Sequence, residues 1–238
     1  MRSLKTYFYF LLLLLGFNGH AQNQDKSLNS SYVLTSVSSV IPSGSPRYTL
    51  GYLYEFNSRW QIGLEFGYGT YAFLGSDSRK RKGIENDYKL VEWRPRINYI
   101  LDTSSKIKPY VSSEFFYINQ KDKFINDTES LRNSRYINNG LENDGMVTFY
   151  DSANFSRIKY GVNFNIGFLW EIWKKIGLNY NLGLGIRNRN IQYSNITNPS
   201  MEPRPDSDSL VTPLHLLETG NQLGANFSFN IKLFYRLN

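Results

Sequence analysis

Four cations stand at alternate positions on two neighbouring stretches of this chain: Arg157 and Lys159 on one, Arg187 and Arg189 on the other. A spacing of two puts each pair on one side of an extended strand. Guanidinium forks match the oxygens of a phosphate, so such a cluster is a candidate anion-binding site. If the chain reverses around Trp173, Arg157 faces Arg189 and Lys159 faces Arg187. Like charges opposite each other destabilise a sheet, so something must neutralise them. Acids of the chain itself are the other answer, and Glu142, Asp144, Asp151, Asp206 and Asp208 are available.

A second charged group lies earlier. Glu92, Arg94 and Arg96 share one parity, with Glu65 before them and Glu114 after. A reversal centred on Ser104 brings Arg94 opposite Glu114 and Arg96 opposite Ser112. Charges withdrawn from water must be paired, so these five residues are expected to form an ion-pair network that fills an interior. A titrating pair or proton path is the alternative. Arg79 to Lys82 form a further basic run, expected to be a solvated patch that touches lipopolysaccharide phosphates at most.

Other chemistry is thinly represented. His215 lies between Leu214 and Leu216, close to Glu218, in a Pro-rich stretch. A nucleophile–base–acid arrangement is not assembled around it, so no catalytic residue is expected. There is no cysteine, hence neither a thiolate metal site nor a disulfide. Acidic runs lack calcium-loop spacing. Gly183 and Gly185 fall inside an extended segment rather than at a helix start, so they make no phosphate cradle. No metal and no cofactor are expected.

The elements that must hold these groups are strands. From Ile158 to Trp170, one parity carries Ile158, Tyr160, Val162, Phe164, Ile166, Phe168 and Trp170. The other parity carries Lys159, Gly161, Asn163, Asn165 and Gly167. Similar alternation marks segments 32–41, 47–56, 60–73, 89–101, 107–119 and 176–193, and a last one after Gly220. Segment 32–41 is the weakest, with serines on both faces, and Pro95 interrupts its segment midway. The connections after the second, fourth and sixth segments are short, whereas 75–88, 120–154 and 194–220 are long. There is too little other apolar sequence to cover so many greasy faces, so lipid is the expected solvent for them. Short turns at one end and long loops at the other are the habit of outer-membrane barrels. A lipid-facing sheet cannot leave an open edge, so the expectation is an all-β, closed, antiparallel, eight-stranded transmembrane β-barrel with long outer loops.

Composition agrees. The mean hydropathy is mildly negative, as polar lumen faces and loops require. Aromatic residues make up 16% of the chain. The net charge of +7 raises nucleic acid as a partner, but export argues against it. Arg2 and Lys5, the apolar run Tyr7 to Phe17, and Gly19-His20-Ala21 read as a signal peptide cleaved near Ala21. That run is about half the roughly 20 residues of a spanning helix. Residues 1–21 are therefore assigned to the signal peptide and 22–238 to one barrel domain.

The stretch Leu50-Gly-Tyr-Leu-Tyr-Glu-Phe-Asn-Ser-Arg-Trp-Gln-Ile-Gly-Leu-Glu-Phe-Gly-Tyr68 resembles the early hairpin of small eight-stranded outer-membrane β-barrel families of Gram-negative bacteria. Glu92-Trp-Arg-Pro-Arg-Ile-Asn-Tyr-Ile-Leu101, followed by Lys108-Pro-Tyr-Val111, is similar to their next hairpin. The resemblance implies an adhesin-like or structural barrel inserted by the outer-membrane assembly machinery, and it transfers no catalytic residue. Such barrels often end on an aromatic residue, from which Tyr235-Arg-Leu-Asn238 departs. Eight strands enclose a space that side chains just fill. The expected role is thus a plugged, monomeric, loop-presenting scaffold in contact with outer-membrane lipid and lipopolysaccharide. A narrow channel for a small solute is the alternative, and a lipid-modifying enzyme a more distant one.

Overall fold

A computed structural model describes residues 30–37, 47–70, 87–126, 136–137, 146–203 and 218–237. The signal-peptide assignment, the basic run 79–82 and His215 lie outside the described residues. Ten strands occur among those described: β1 (Ser31–Ser36), β2 (Tyr48–Glu55), β3 (Trp60–Thr70), β4 (Lys89–Ile100), β5 (Ile107–Ile125), β6 (Met146–Phe149), β7 (Ser152–Trp173), β8 (Ile176–Thr197), β9 (Ser200–Pro203) and β10 (Gly220–Arg236). Eight of them close a ring in the order β1-β10-β8-β7-β5-β4-β3-β2. Every neighbouring pair in the ring is antiparallel, and β1 completes it by pairing Tyr32 with Arg236 and Ser36 with Lys232.

The two parities of each strand go to opposite sides of the wall, as a pleat demands. Outside lie Phe164, Leu184 and Leu223, at 70%, 67% and 80% exposure. Along β7 the outward apolar run from Trp170 to Tyr160 rises about 25 Å, taking about 3.3 Å per residue and a tilt of about 40°. Aromatic residues crowd both rims of this belt. Trp60 packs edge-on against Tyr99 near the short turns, and Phe66 against Trp93 towards the other end. Above the belt the outward residues turn polar, at Asn119 on β5, Asn188 on β8 and Asn221 on β10.

Local chemistry fixes the short turns. The Asn57 side chain accepts from the backbone N–H groups of Arg59 (2.9 Å) and Trp60 (2.8 Å), closing the β2–β3 turn. Asp102 accepts from Ser104 N–H and Oγ–H in the β4–β5 turn, which holds its carboxyl below the usual carboxylate range. Lys174 takes a left-handed conformation, φ 46°, in the β7–β8 turn.

The expected strand ends need three corrections. β5 continues to Ile125 and β7 begins at Ser152, so 120–125 and 152–154 are strand rather than loop. β8 likewise runs on to Thr197. Polar residues such as Gln120, Asp122 and Asn154 hid this extension, because above the belt the outward face is no longer greasy. The third correction is a small second sheet, β6 with β9, inside two of the expected loops. Tyr136, Val147 and Phe149 form a core there. Ile137, Tyr150 and Ala153 form another, against which Phe124 and Tyr193 pack. A structured cap thus sits on the tall side of the barrel. Pro95 faces outward opposite Leu64, and the β4–β5 ladder skips it, resuming from Trp93–Tyr117 at Arg96–Glu114. Its missing N–H is tolerated at that gap.

The lumen is narrow enough that ring size sets neighbour size. Three inward aromatics each stand directly across the ladder from a glycine: Tyr110 from Gly167, Phe116 from Gly161 and Phe234 from Gly177. A Cβ on Gly167 would meet the Tyr110 Oη at 2.7 Å. That hydroxyl also donates to Asn179 Oδ1 at 2.6 Å, so the ring cannot swing away without breaking the bond. Gly167→Val is expected to destabilise the barrel by about 1–3 kcal/mol through overpacking. Urea unfolding of the refolded chain in detergent micelles checks this, with the outward Leu182→Val as the control that should change little.

Candidate functional site

Inside the ring the side chains stack in layers. Nearest the short turns is an apolar floor of Tyr32, Leu34, Leu53, Ile100, Tyr110, Leu169 and Phe234, each 2% exposed or less. The lumen expected from the sequence was polar throughout and lacked this floor. The signal was present, because Leu53, Leu169 and Phe234 are apolar residues on the otherwise polar parity of their strands.

Above the floor lies the ion-pair network. Arg94 Nε donates to Glu92 Oε1 at 2.5 Å, and its Nη1 to Glu114 Oε1 at 2.7 Å. Glu92 also pairs with Arg47, and Glu65 with Lys232. Arg96 stands directly across the β4–β5 ladder from Glu114. The structure therefore gathers Glu65, Glu92, Arg94, Arg96 and Glu114 into one buried layer. The expected register is off by two: Glu114 opposes Arg96, not Arg94, and Ser112 opposes Asn98. The reversal is centred on Ser105, one residue later than Ser104: Ile100 pairs with Tyr110, and the Leu101 N–H donates to the Pro109 carbonyl. Arg94 still reaches Glu114 diagonally, because its side chain is long.

Amides complete the layer. Asn163 donates to Glu114 and accepts from Asn226 at 2.7 Å, while Asn165 donates to Ser112 and accepts from Ser228. The links to Asn226 and Ser228 reach β10, which is not a ring neighbour of β7. Lys232 and Arg47 were missed for the same reason: Lys232 on β10 meets Glu65 on β3 only because the ring closes.

Towards the long-loop end, Tyr88, Leu90, Phe116 and Ile118 make an apolar wall. Beside it are the four expected cations. Their pairing also differs by two positions from a reversal centred on Trp173. Lys159 opposes Arg189, Arg157 opposes Ile191, and Arg187 opposes Gly161. The left-handed Lys174 and the irregularity between Glu171 and Trp173 shift the hairpin. One directly opposed like-charge pair remains instead of two. Arg157 Nη2 donates to Gln120 Oε1 at 2.5 Å, and Arg189 to Gln222. The Lys159 ammonium lies 5.3 Å from the centre of the Phe116 ring. Arg187 and Arg189 line a cavity of about 320 Å³ with Glu218, Gln222 and Gly224. Of the loop acids proposed to neutralise this group, Asp151 is exposed and accepts from Asn198. Glu142, Asp144, Asp206 and Asp208 lie outside the described residues. Glu218 is the acid that shares the cavity, although the sequence had marked it only as a neighbour of His215.

The fold and its interior define the class: a closed, eight-stranded, antiparallel β-barrel with a charged, filled lumen and an apolar exterior. No protein-family model matches the chain, so none supports the resemblance drawn from residues 50–68. No curated protein matches it either. Among solved structures it is similar to a major outer membrane protein from Thermus thermophilus, at 11% identity and a TM-score of 0.45, over 88% of this chain and 99% of that one. So distant a likeness carries no weight beside the ring itself.

The Glu65–Lys232 pair is wholly inside the wall. Glu65→Gln or Lys232→Met alone leaves one buried charge and is expected to cost about 3–5 kcal/mol. The double variant is expected to recover a large part of that loss, because no lone charge remains. Unfolding midpoints of the wild type, both single variants and the double variant measure the coupling.

Proposed function

We propose that the chain is a monomeric outer-membrane β-barrel whose lumen is plugged by its own side chains and whose role is to hold and present its long-loop end. The apolar exterior carries this reading. Monomeric water-soluble proteins rarely expose a contiguous apolar patch beyond a few hundred Å². Here a belt of Phe, Leu, Ile and Trp encircles a closed wall. Its height of about 25 Å equals the apolar band of outer-membrane barrels, and aromatic residues at both rims belong to the same pattern. A closed ring also leaves no unpaired edge in hydrocarbon. The partners of this exterior are outer-membrane lipid and lipopolysaccharide, reached through the outer-membrane assembly machinery.

The filled lumen supports a scaffold over a solute channel. The floor residues are fully buried, with the Tyr110 hydroxyl held by Asn179, and the network above joins Arg47 and strands β3, β4, β5, β7 and β10 by side-chain bonds. The tall hairpins support presentation: β5, β7 and β8 extend above the belt and carry the cap built on β6 and β9. Rigid strands holding loops are a common way to display a recognition surface. No reaction is assigned to the chain.

Membrane fractionation and heat-modifiable gel migration test the location. Recovery of a folded, detergent-free monomer from periplasm or medium would exclude it. Planar-bilayer recording of the purified barrel tests the plug. The expected trace has no stepwise conductance, whereas steady openings would replace the scaffold with the channel.

A further inference from the structure

We propose that the cation row beneath the cap is a binding site for a phosphate-class oxyanion, open at the cavity between β8 and β10. The proposal stands apart from the membrane reading, because the row lies inside the wall.

Four residues on the inward parity of β7 and β8, Arg157, Lys159, Arg187 and Arg189, occupy consecutive levels. Among the described residues, the acids on the inward side of this stretch are Asp122, Glu218 and Glu92, the last on the rung of Lys159 through Ile118. Glu92 is engaged with Arg47 and Arg94, and the carboxylates of Glu114 and Glu65 with Arg94 and Lys232. Four cations so close repel one another. A chain that only needed to fill this space would do so at lower cost with amides, as it does lower in the same lumen at Asn163 and Asn165.

Orientation points the same way. Gln120 and Gln222, each directly across the ladder from its arginine, accept hydrogen bonds from Arg157 and Arg189. A carbonyl oxygen fixes a guanidinium group in a set direction. The row is also enclosed. Phe116 closes its lower end, on the rung of Gly161 and Arg187, and Phe155 and Tyr193 are the next inward aromatics above, packed at 5.5 Å. Apolar layers on both sides lower the local dielectric, which strengthens attraction for an anion. The exposed way in is the cavity of about 320 Å³ beside Arg187, where Gly224 leaves the space open. That volume admits phosphate or pyrophosphate, and also the phosphate of a lipid headgroup or sugar. The shared chemistry is a tetrahedral oxyanion held by guanidinium forks.

The test uses the full processed chain folded in zwitterionic detergent, with inorganic phosphate and then pyrophosphate titrated by calorimetry at constant ionic strength. Saturable binding is expected. Arg187→Gln and Lys159→Gln should each weaken it about tenfold or more, the loss of one charge-assisted hydrogen bond. Arg59→Gln, at the short-turn end, should leave it unchanged. Heat-modifiable migration selects folded variants, and having two substitutions keeps the test valid if one fails to fold. In vesicles of phosphatidylcholine with and without phosphatidylglycerol, equal pyrophosphate binding identifies a soluble ligand. Competition by the anionic lipid identifies a headgroup. Absence of saturable binding, or binding that Arg187→Gln and Lys159→Gln leave untouched, overturns the proposal, because the row is then neutralised within the chain.

Discussion

Closing eight strands into a ring leaves an interior only as wide as the side chains that fill it. Each inward residue must then fit its neighbour across the ladder and satisfy its polar atoms without water. The aromatic–glycine pairs meet the first demand: Tyr110, Phe116 and Phe234 are admitted because Gly167, Gly161 and Gly177 stand opposite. The second is met by linking acids, guanidinium groups and amides into one layer around Arg94 and Glu114. The floor needs few such partners, its Tyr110 hydroxyl being settled on Asn179. Filling and closure are therefore one property, since widening the ring would strand the charges and narrowing it would expel the aromatics.

The same constraint stops at the top of the belt. Among the described residues, β5, β7 and β8 outreach the other strands above Asn119 and Asn188. Here the inward parity needs a new cover. Phe124, Phe155 and Tyr193 supply an aromatic surface, and the segments around Ile137 and Tyr150 lie against it. The cations occupy the junction between the filled ring and this extension.

Period-two alternation made the architecture readable. Phe164, Ile166 and Phe168 against Asn163, Asn165 and Gly167 already separate an exterior from an interior. Membership of the lower charged layer was also legible, because burial of Glu92 and Glu114 requires nearby cations. What resisted reading depends on closure or on turns. Lys232 meets Glu65 across strands that are far apart in sequence, which hairpin arithmetic does not reach. Both registers differ by two residues, one from a turn centred on Ser105 and one beside a left-handed lysine, and neither leaves a hydropathy trace. The strand extensions above the belt were hidden because alternation there no longer marks which face is buried.

The bond between Lys232 and Glu65 has a temporal meaning. Its acid is made early in synthesis and its base within the last few residues of the ring, so a sheet that has not yet joined β1 to β10 holds an ammonium with nothing to answer it. Until the seam shuts, that lone charge keeps drawing water to the open margin. Once β1 and β10 meet, the charge is answered and the water excluded, so the seam acts as a latch that is hard to reopen.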